Sequence, residues 1–493
     1  MAHKFKKLWI AGAAPLALAL TGCMGGGGSI PSASTPITTN EAQQGAEYHP
    51  KLLAQFGGSM SGSQASYVEQ VGKNIAVHSG LGNARESFTV SLLNSPVNNA
   101  FAIPGGYIYT TRQLVTLMNN EAELAGVLGH EVGHVAARHS QRRQQAAQRN
   151  TLFGGGLAIL SGVLFGDSSL GSALSRGFLQ GSQLLTLRFS RSQEIEADDL
   201  GIQYLTRAGY DPSAMSSVLA SLAAQNALDA RLQGQGNASV PEWASTHPDP
   251  ASRVRRAAGA AQGLAGSITN RDTFLTRIDG LLYGDDPKQG VIEGSRFIHP
   301  ELRLTFTAPQ GFYMVNSTSA VSINGQSGQA QLSFAPYAGD LSSYVAQQFS
   351  AFGGRGSNLR PSGIQRTTVN GIPAAFGTAR VNNNGNPVDL VIFAYEFARD
   401  RAYHFAAVTP AGRGNTFSAM YQSMRRISQS EAAQIVPRRL DVVTVQRGDT
   451  VSGLARRMAY DTAREERFRV LNALGANDGL IAGQKVKLVV RAR

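Results

Sequence analysis

A single cysteine, Cys23, stands in a chain of 493 residues, so no disulfide within the chain can staple the fold. Acidic residues are the scarcer charge: 33 Asp and Glu face 45 Lys and Arg, leaving a formal net charge of +12. No long apolar run is present. The most apolar stretch near the N-terminus, LWIAGAAPLALAL, has 13 residues, short of the ~20 that cross a bilayer as a helix. No sequence period of 20–50 residues recurs, which argues against a solenoid. What remains is a globular composition, 42% hydrophobic and 16% charged, in a chain long enough for two to four separate cores.

The 13-residue run follows Lys4, Lys6 and Lys7 and precedes Thr21-Gly22-Cys23, the order of a secretory signal spanning 1–22. Leu20-Thr21-Gly22-Cys23 resembles a bacterial lipobox. That resemblance implies a diacylated Cys23 at the start of the mature chain, and Met24 after it implies sorting to the outer membrane, facing the periplasm. Residues 23–46, rich in Gly and Ser, then read as a flexible tether. Removing 1–22 takes away three lysines and lowers the charge from +12 to +9. Residues 437–493 carry twelve Lys/Arg against six Asp/Glu, so +6 of that +9 lies at the C-terminus. Such an end suits an anionic partner. In a cell envelope that means lipid headgroups or peptidoglycan, and export argues against nucleic acid.

The expected fold class is α+β. Residues 47–275 read as mostly helical with a small sheet: YVEQVGKNIAVHSGL carries an apolar stripe at Val68, Val71, Ile75 and Ala76, and ESFTVSLLN and AFAIPGGYIYTT read as strands. Residues 290–430 alternate in short runs such as VDLVIFAYEF and AYHFAAVTP, with helices expected at LSSYVAQQFSAF and NTFSAMYQSMRRI. That segment is a separate α/β sandwich, loosely similar to PsbP-like and Mog1-like units, with His299 and His404 read as structural. A last small unit covers 438–491.

The chemistry concentrates in NNEAELAGVLGHEVGHVAARHS. Asparagines suited to capping precede a stripe of Leu124, Val127, Leu128, Val132 and Val135. On that helix His130 and His134 are i and i+4, so both imidazoles leave one face and can bind one zinc ion, with Glu131 beside them as the proton acceptor for an attacking water. A further ligand six residues after His134 would need Gly and His where Ala137 and Ser140 stand, and His139 reads as a solvated helix residue. SRSQEIEADDLG offers a better third ligand. Glu194 and Asp198 are i and i+4 on a second helix, and Ala197 and Gly201 permit close packing. Glu194 can ligate the metal while Asp198 orients a ligand imidazole.

In order, NNAFAIPGGYIYTTR, LAGVLGHEVGHVAARH, SRSQEIEADDLGIQYLTRAGYDP and STHPDPASR resemble the membrane-linked gluzincin metallopeptidases of the HtpX and CAAX prenyl protease family, in its periplasmic BepA/LoiP-like branch. The resemblance implies zinc ligands His130, His134 and Glu194, base Glu131 and an outer carboxylate Asp198. It also implies that Asn99, Ala100, Phe101 and Ala102 form a substrate-binding edge strand, the alternative being an ordinary core strand. His247 and Arg253 match positions near the metal in that branch. His247 is then a fourth, regulatory ligand rather than a loop residue, and Arg253 lies outside the ligands. The uncharged stretch from Thr151 to Gly166 is expected to form an apolar hairpin that packs over the cleft or touches lipid.

Residues 438–491 resemble a LysM module, which implies a βααβ fold and glycan contacts at Gly448, Asp449, Thr450 and Asn472. The segment AYDTAREER departs from that pattern by its length and charge. Together these expectations describe a zinc endopeptidase acting on protein substrates of the bacterial envelope. The competing expectation is a non-proteolytic assembly factor or peptidoglycan-associated scaffold.

Overall fold

The structure, a computed structural model, describes residues 35–82, 84–143, 189–232, 247, 250–353, 359–383 and 386–492. Residues 1–22, expected as a signal segment, Cys23, the apolar stretch 151–166 and the neighbours of His247 at 245–246 and 248–249 lie outside them. The architecture is mixed α and β.

The chain enters through α1 (Thr39–Gln55), so the tether expected to reach residue 46 is already helical from Thr39. The reason is local. Thr38 and Glu41 form a reciprocal capping box, and Arg138 pairs with the Glu41 carboxylate 3.2 Å away. Helix α2 (Ser63–Ala76) buries Val68, Val71 and Ile75, as its stripe predicts. Strands β1 (Thr89–Leu93), β2 (Ala100–Ile103) and β3 (Tyr107–Thr111) make a sheet of order β1-β3-β2. β1 runs parallel to β3, and β2 returns antiparallel to it through residues 104–106. Gly105 has φ +90°, and a Cβ there would meet the Glu41 carbonyl oxygen at 2.6 Å, so α1 lies directly on this turn.

Behind the sheet come α3 (Arg112–Leu117), α4 (Glu121–Ala136), α5 (Arg191–Arg207), α6 (Ala214–Leu232), α7 (Pro250–Ala261) and α8 (Arg271–Ile278). Their core is shared with the C-terminal unit. β16 (Arg438–Thr444), α11 (Val451–Ala455), α12 (Arg464–Leu471) and β17 (Lys485–Arg491) follow one another as strand, two helices and strand. β16 pairs with both β17 and β4 (Leu282–Tyr283), and Leu440, Leu454, Phe468 and Leu488 belong to the same buried cluster as Val71, Leu128 and Leu219. Lys487, wholly buried, donates to the carbonyls of Thr116, Leu117 and Met118 at the end of α3, where the Asn119 side-chain amide also donates to the Leu117 carbonyl.

Between these parts lies a layered unit. β8 (Tyr313–Asn316), β9 (Val321–Gly325), β10 (Gly328–Phe334), β11 (Ile364–Val369), β12 (Ile372–Asn383), β13 (Asn386–Ala398) and β14 (Arg401–Pro410) form a seven-stranded sheet of order β11-β12-β13-β14-β10-β9-β8. Alternation decides its faces. Along β13, Val391, Phe393, Tyr395 and Phe397 pack toward a four-stranded sheet of β5 (Val291–Glu293), β6 (Arg296–His299), β7 (Leu304–Thr307) and β15 (Arg425–Arg426). Leu390, Ile392 and Ala394 face α9 (Leu341–Gly353) on the other side. The helix expected to run on to Ile427 stops earlier, as α10 (Ser418–Ser423), because Arg425 and Arg426 pair with Thr305 and Leu304 as a strand.

Candidate metal centre

Helix α4 is fixed at its start and packed along its length. The Asn120 side chain accepts from the Glu123 amide at 2.8 Å, and acidic Glu121 and Glu123 occupy the first turn, where the helix dipole favours them. Small residues let α5 approach. A Cβ on Gly133 would come within 3.1 Å of the Ala197 carbonyl, and one on Gly201 within 3.1 Å of the His130 amide. Ser190 and Gln193 form a capping box at the start of α5, which places Glu194 in its first turn against the histidines.

His130, His134, Glu194 and His247 each bring one ligand atom into a buried group whose members lie within 4.8 Å of one another. His130 Nε2 is 3.0 Å from His134 Nε2 and 3.4 Å from His247 Nδ1. Glu194 Oε1 is 3.4 Å from His134 Nε2 and 3.1 Å from His247 Nδ1, and its Oε2 is 3.6 Å from His130 Nε2. Tetrahedral coordination with metal–donor distances of ~2.0–2.1 Å requires donors about 3.3 Å apart, and these separations bracket that value. Imidazoles and a carboxylate suit a borderline divalent ion. The donor chemistry and spacing therefore fit a single metal ion.

For His134 and Glu194 the electrostatics agree with ligation. Burial pulls the His134 pKa well below its ordinary value, favouring the neutral ring that a metal needs. Burial would raise Glu194, but His247, His134 and His130 together hold it well below the carboxylate range. Burial also opposes charge on His247, yet Glu194 and Glu131 outweigh it and raise its pKa. Glu131, one position along α4, is 1% exposed, and its Oε1 has no hydrogen-bond partner. That oxygen lies 3.5 Å from His247 Nε2. Burial pushes the Glu131 carboxyl above its usual range, as befits a group that takes up and returns a proton.

Outer groups lock the rings. Asp198 lies 2.9 Å from His130 Nδ1, with its pKa drawn down to about 2: burial opposes the shift, and Arg253 and His130 outweigh burial. Arg253 forks onto Asp198, with Nε 2.8 Å from Oδ2, and its Nη1 also reaches Glu194. Thus His130, Glu131, His134, Glu194, Asp198, His247 and Arg253 converge. β2 is an edge strand, and Ala102 lines the same small cavity as His134, with Glu41, Pro104 and Arg138. Asn99 is buried with neither side-chain amide atom hydrogen-bonded, Ala100 is buried, and Phe101 stacks on Tyr109.

The remaining expected site residues lie elsewhere. Gly448 and Thr450 are exposed and Asp449 half-buried at the start of α11, where Thr450 is the cap. Asn472 corrects the expectation of a glycan contact. It is buried, and its amide joins Phe468 O and the Lys487 backbone, leaving nothing for a ligand. His139 is a second correction, being fully buried rather than solvated. An unbroken α4 would turn it roughly 180° from His130, but the chain leaves the helix at 137–138, with Arg138 at φ +50°, and returns His139 inward. Phe189, which stacks on His134 with centroids 3.9 Å apart, and Glu196 were equally invisible to periodicity.

An HExxH helix crossed by a second helix bearing a ligand carboxylate defines a metallopeptidase-type centre. Residues 62–261 match the model of peptidase family M48, and this region is a metallopeptidase domain of the branch that includes the beta-barrel assembly-enhancing proteases. The chain is 34% identical to the Yersinia pestis beta-barrel assembly-enhancing protease over 225 residues, covering 45% of this chain and 44% of that one. Its identity to the corresponding protein of Escherichia coli O157:H7 is 29% over 251 residues, 50% of this chain and 49% of that one. The mitochondrial metalloendopeptidase OMA1 of Arabidopsis thaliana is 35% identical over 176 residues, 35% and 32% of the two chains. The chain spans about half the length of the first two relatives.

Proposed function

We propose that this chain is a zinc-dependent endopeptidase of the bacterial cell envelope that degrades misfolded or stalled periplasmic and outer-membrane proteins. The observation that carries the reading is the convergence of His130, His134 and Glu194 beside a buried Glu131 whose Oε1 has no hydrogen-bond partner. A bound zinc ion would polarise the scissile carbonyl and lower the pKa of an attacking water. Glu131 accepts the proton of that water and returns it to the leaving amine. Asp198 and Arg253 hold His130 and Glu194 in register. Residues 99–102 pair with substrate backbone as an added strand, which aligns the scissile bond with Glu131.

His247 is read as a reversible latch, since three protein donors leave a coordination position for water and four close it. His247→Ala is expected to raise basal proteolysis or self-cleavage, measured with casein and by the chain's own fragmentation. Loss of activity would instead assign His247 to substrate or transition-state binding. A lipid on Cys23 is proposed to anchor the chain to the outer membrane, facing the periplasm. The basic C-terminal unit, through Gly448, Asp449 and Thr450, is proposed to meet peptidoglycan. Retention on purified peptidoglycan should fall in Asp449→Ala/Thr450→Ala, and equal retention argues against that contact. The relatives' printed role in beta-barrel assembly supports an envelope quality-control setting. The direct test is Glu131→Gln, which should stop cleavage of casein; unchanged cleavage would overturn the assignment.

A further inference from the structure

His134 has two ring nitrogens, and only one of them faces the donor group. Nε2 points to His130 Nε2 and Glu194, while Nδ1 lies 2.8 Å from His139 Nδ1. Two imidazole nitrogens at that distance need one hydrogen between them. If Nε2 presents its lone pair to a metal, the hydrogen of a neutral His134 sits on Nδ1, and His139 Nδ1 must accept it. The hydrogen of His139 is then on Nε2, 3.1 Å from Glu196 Oε2. Glu196 can only accept there, and it also receives Arg142 Nη1 at 2.9 Å. The Gln193 side chain donates to the His139 carbonyl at 3.2 Å. Every hydrogen in this chain of contacts has one consistent place.

We infer that His139, held by Glu196, is the positioning residue for His134, fixing its tautomer and ring orientation toward the metal. Helix α5 then serves both imidazoles. Asp198 orients His130, Glu196 orients His134 through His139, and Glu194 between them completes the donor set. The two rings differ in kind: His130 leans directly on a carboxylate, whereas His134 reaches its carboxylate through a second imidazole. Glu196 has a partly exposed side chain, so this second arm is the one open to solvent.

The inference rests on the metallopeptidase reading, and zinc affinity of the full chain, measured by competition with a chelator, separates the two. His139→Leu removes the acceptor while filling the space, and should weaken zinc binding by about 10–100-fold. His139→Asn places an oxygen near the position of Nδ1 and should recover affinity to within about threefold of the parent. A merely structural role would not be rescued in that way. The cobalt-substituted chain should show the same order in its visible absorption, with His139→Leu altered and His139→Asn restored. Glu196→Ala, at a partly exposed position, keeps the test available if His139→Leu does not fold, and should weaken zinc binding several-fold. Parent-like affinity in His139→Leu or Glu196→Ala overturns the inference, as does His139→Asn binding as poorly as His139→Leu. A parent chain that binds no zinc overturns the metallopeptidase reading along with it.

Discussion

Buried histidines occur in two regions of this molecule, and their surroundings differ. In the layered unit, His404 is 3% exposed, but its nitrogens are taken by the Tyr344 hydroxyl at 2.9 Å and the Ser333 hydroxyl at 3.3 Å. Burial drives its pKa down to about 4, and it behaves as a neutral polar core residue. In the helical region, His130, His134 and His247 turn nitrogen atoms toward one another and toward Glu194. Burial is common to both regions. What marks a site is lone pairs that converge on one point, with the outer nitrogens already assigned to Asp198 and His139.

Four substitutions sharpen that contrast, from the largest effect to the smallest. Glu131→Gln should lower peptide hydrolysis by about 10²–10⁴-fold while leaving zinc content unchanged, measured by turnover and metal analysis. Equal loss of both would place Glu131 among the structural groups. Arg253→Met removes the guanidinium that forks onto Asp198 and reaches Glu194, leaving two buried carboxylates without that partner. It should cost about 3–5 kcal/mol in urea unfolding.

Lys487→Met tests how the C-terminal unit is joined to the helical region. Burial pushes the Lys487 pKa down to about 7, against the opposing pull of Glu123 and with Arg271 nearby. From about 7 up to the ordinary lysine value near ~10.4, the unfolded chain holds more protons at this site, so parent stability rises with pH. The difference in unfolding free energy between parent and Lys487→Met should therefore move in the parent's favour from pH 7 to pH 9, and a flat difference contradicts it. His404→Phe is the smallest change. It leaves the hydroxyls of Tyr344 and Ser333 without the ring nitrogens, should cost about 1–2 kcal/mol, and should leave zinc content untouched.

The helix bearing His130 and His134 and the crossing helix bearing Glu194 and Asp198 were legible in the sequence, because spacing of four and a stripe of apolar residues are local properties. Small Ala197 and Gly201 were legible as packing residues for the same reason. His139 was not. Its place depends on a two-residue break and a left-handed Arg138, itself buried among Glu41 and the carbonyls of Thr35 and Pro36. Those contacts join positions about a hundred residues apart, which no periodicity records. The shared core of 438–491 with the helices escaped for a related reason. Lys487 reads as the polar position of an alternating strand, and only the carbonyls at the end of α3 make a buried ammonium there sensible.

Metal occupancy decides the assignment of this centre. Zinc per chain, counted after exhaustive dialysis of the full protein, should be one in the parent and near zero in the doubly substituted His130→Ala/His134→Ala chain, with peptide cleavage following the metal as it is stripped and restored. A parent that cleaves peptide with no zinc bound, or a double variant that still holds one ion, would contradict it.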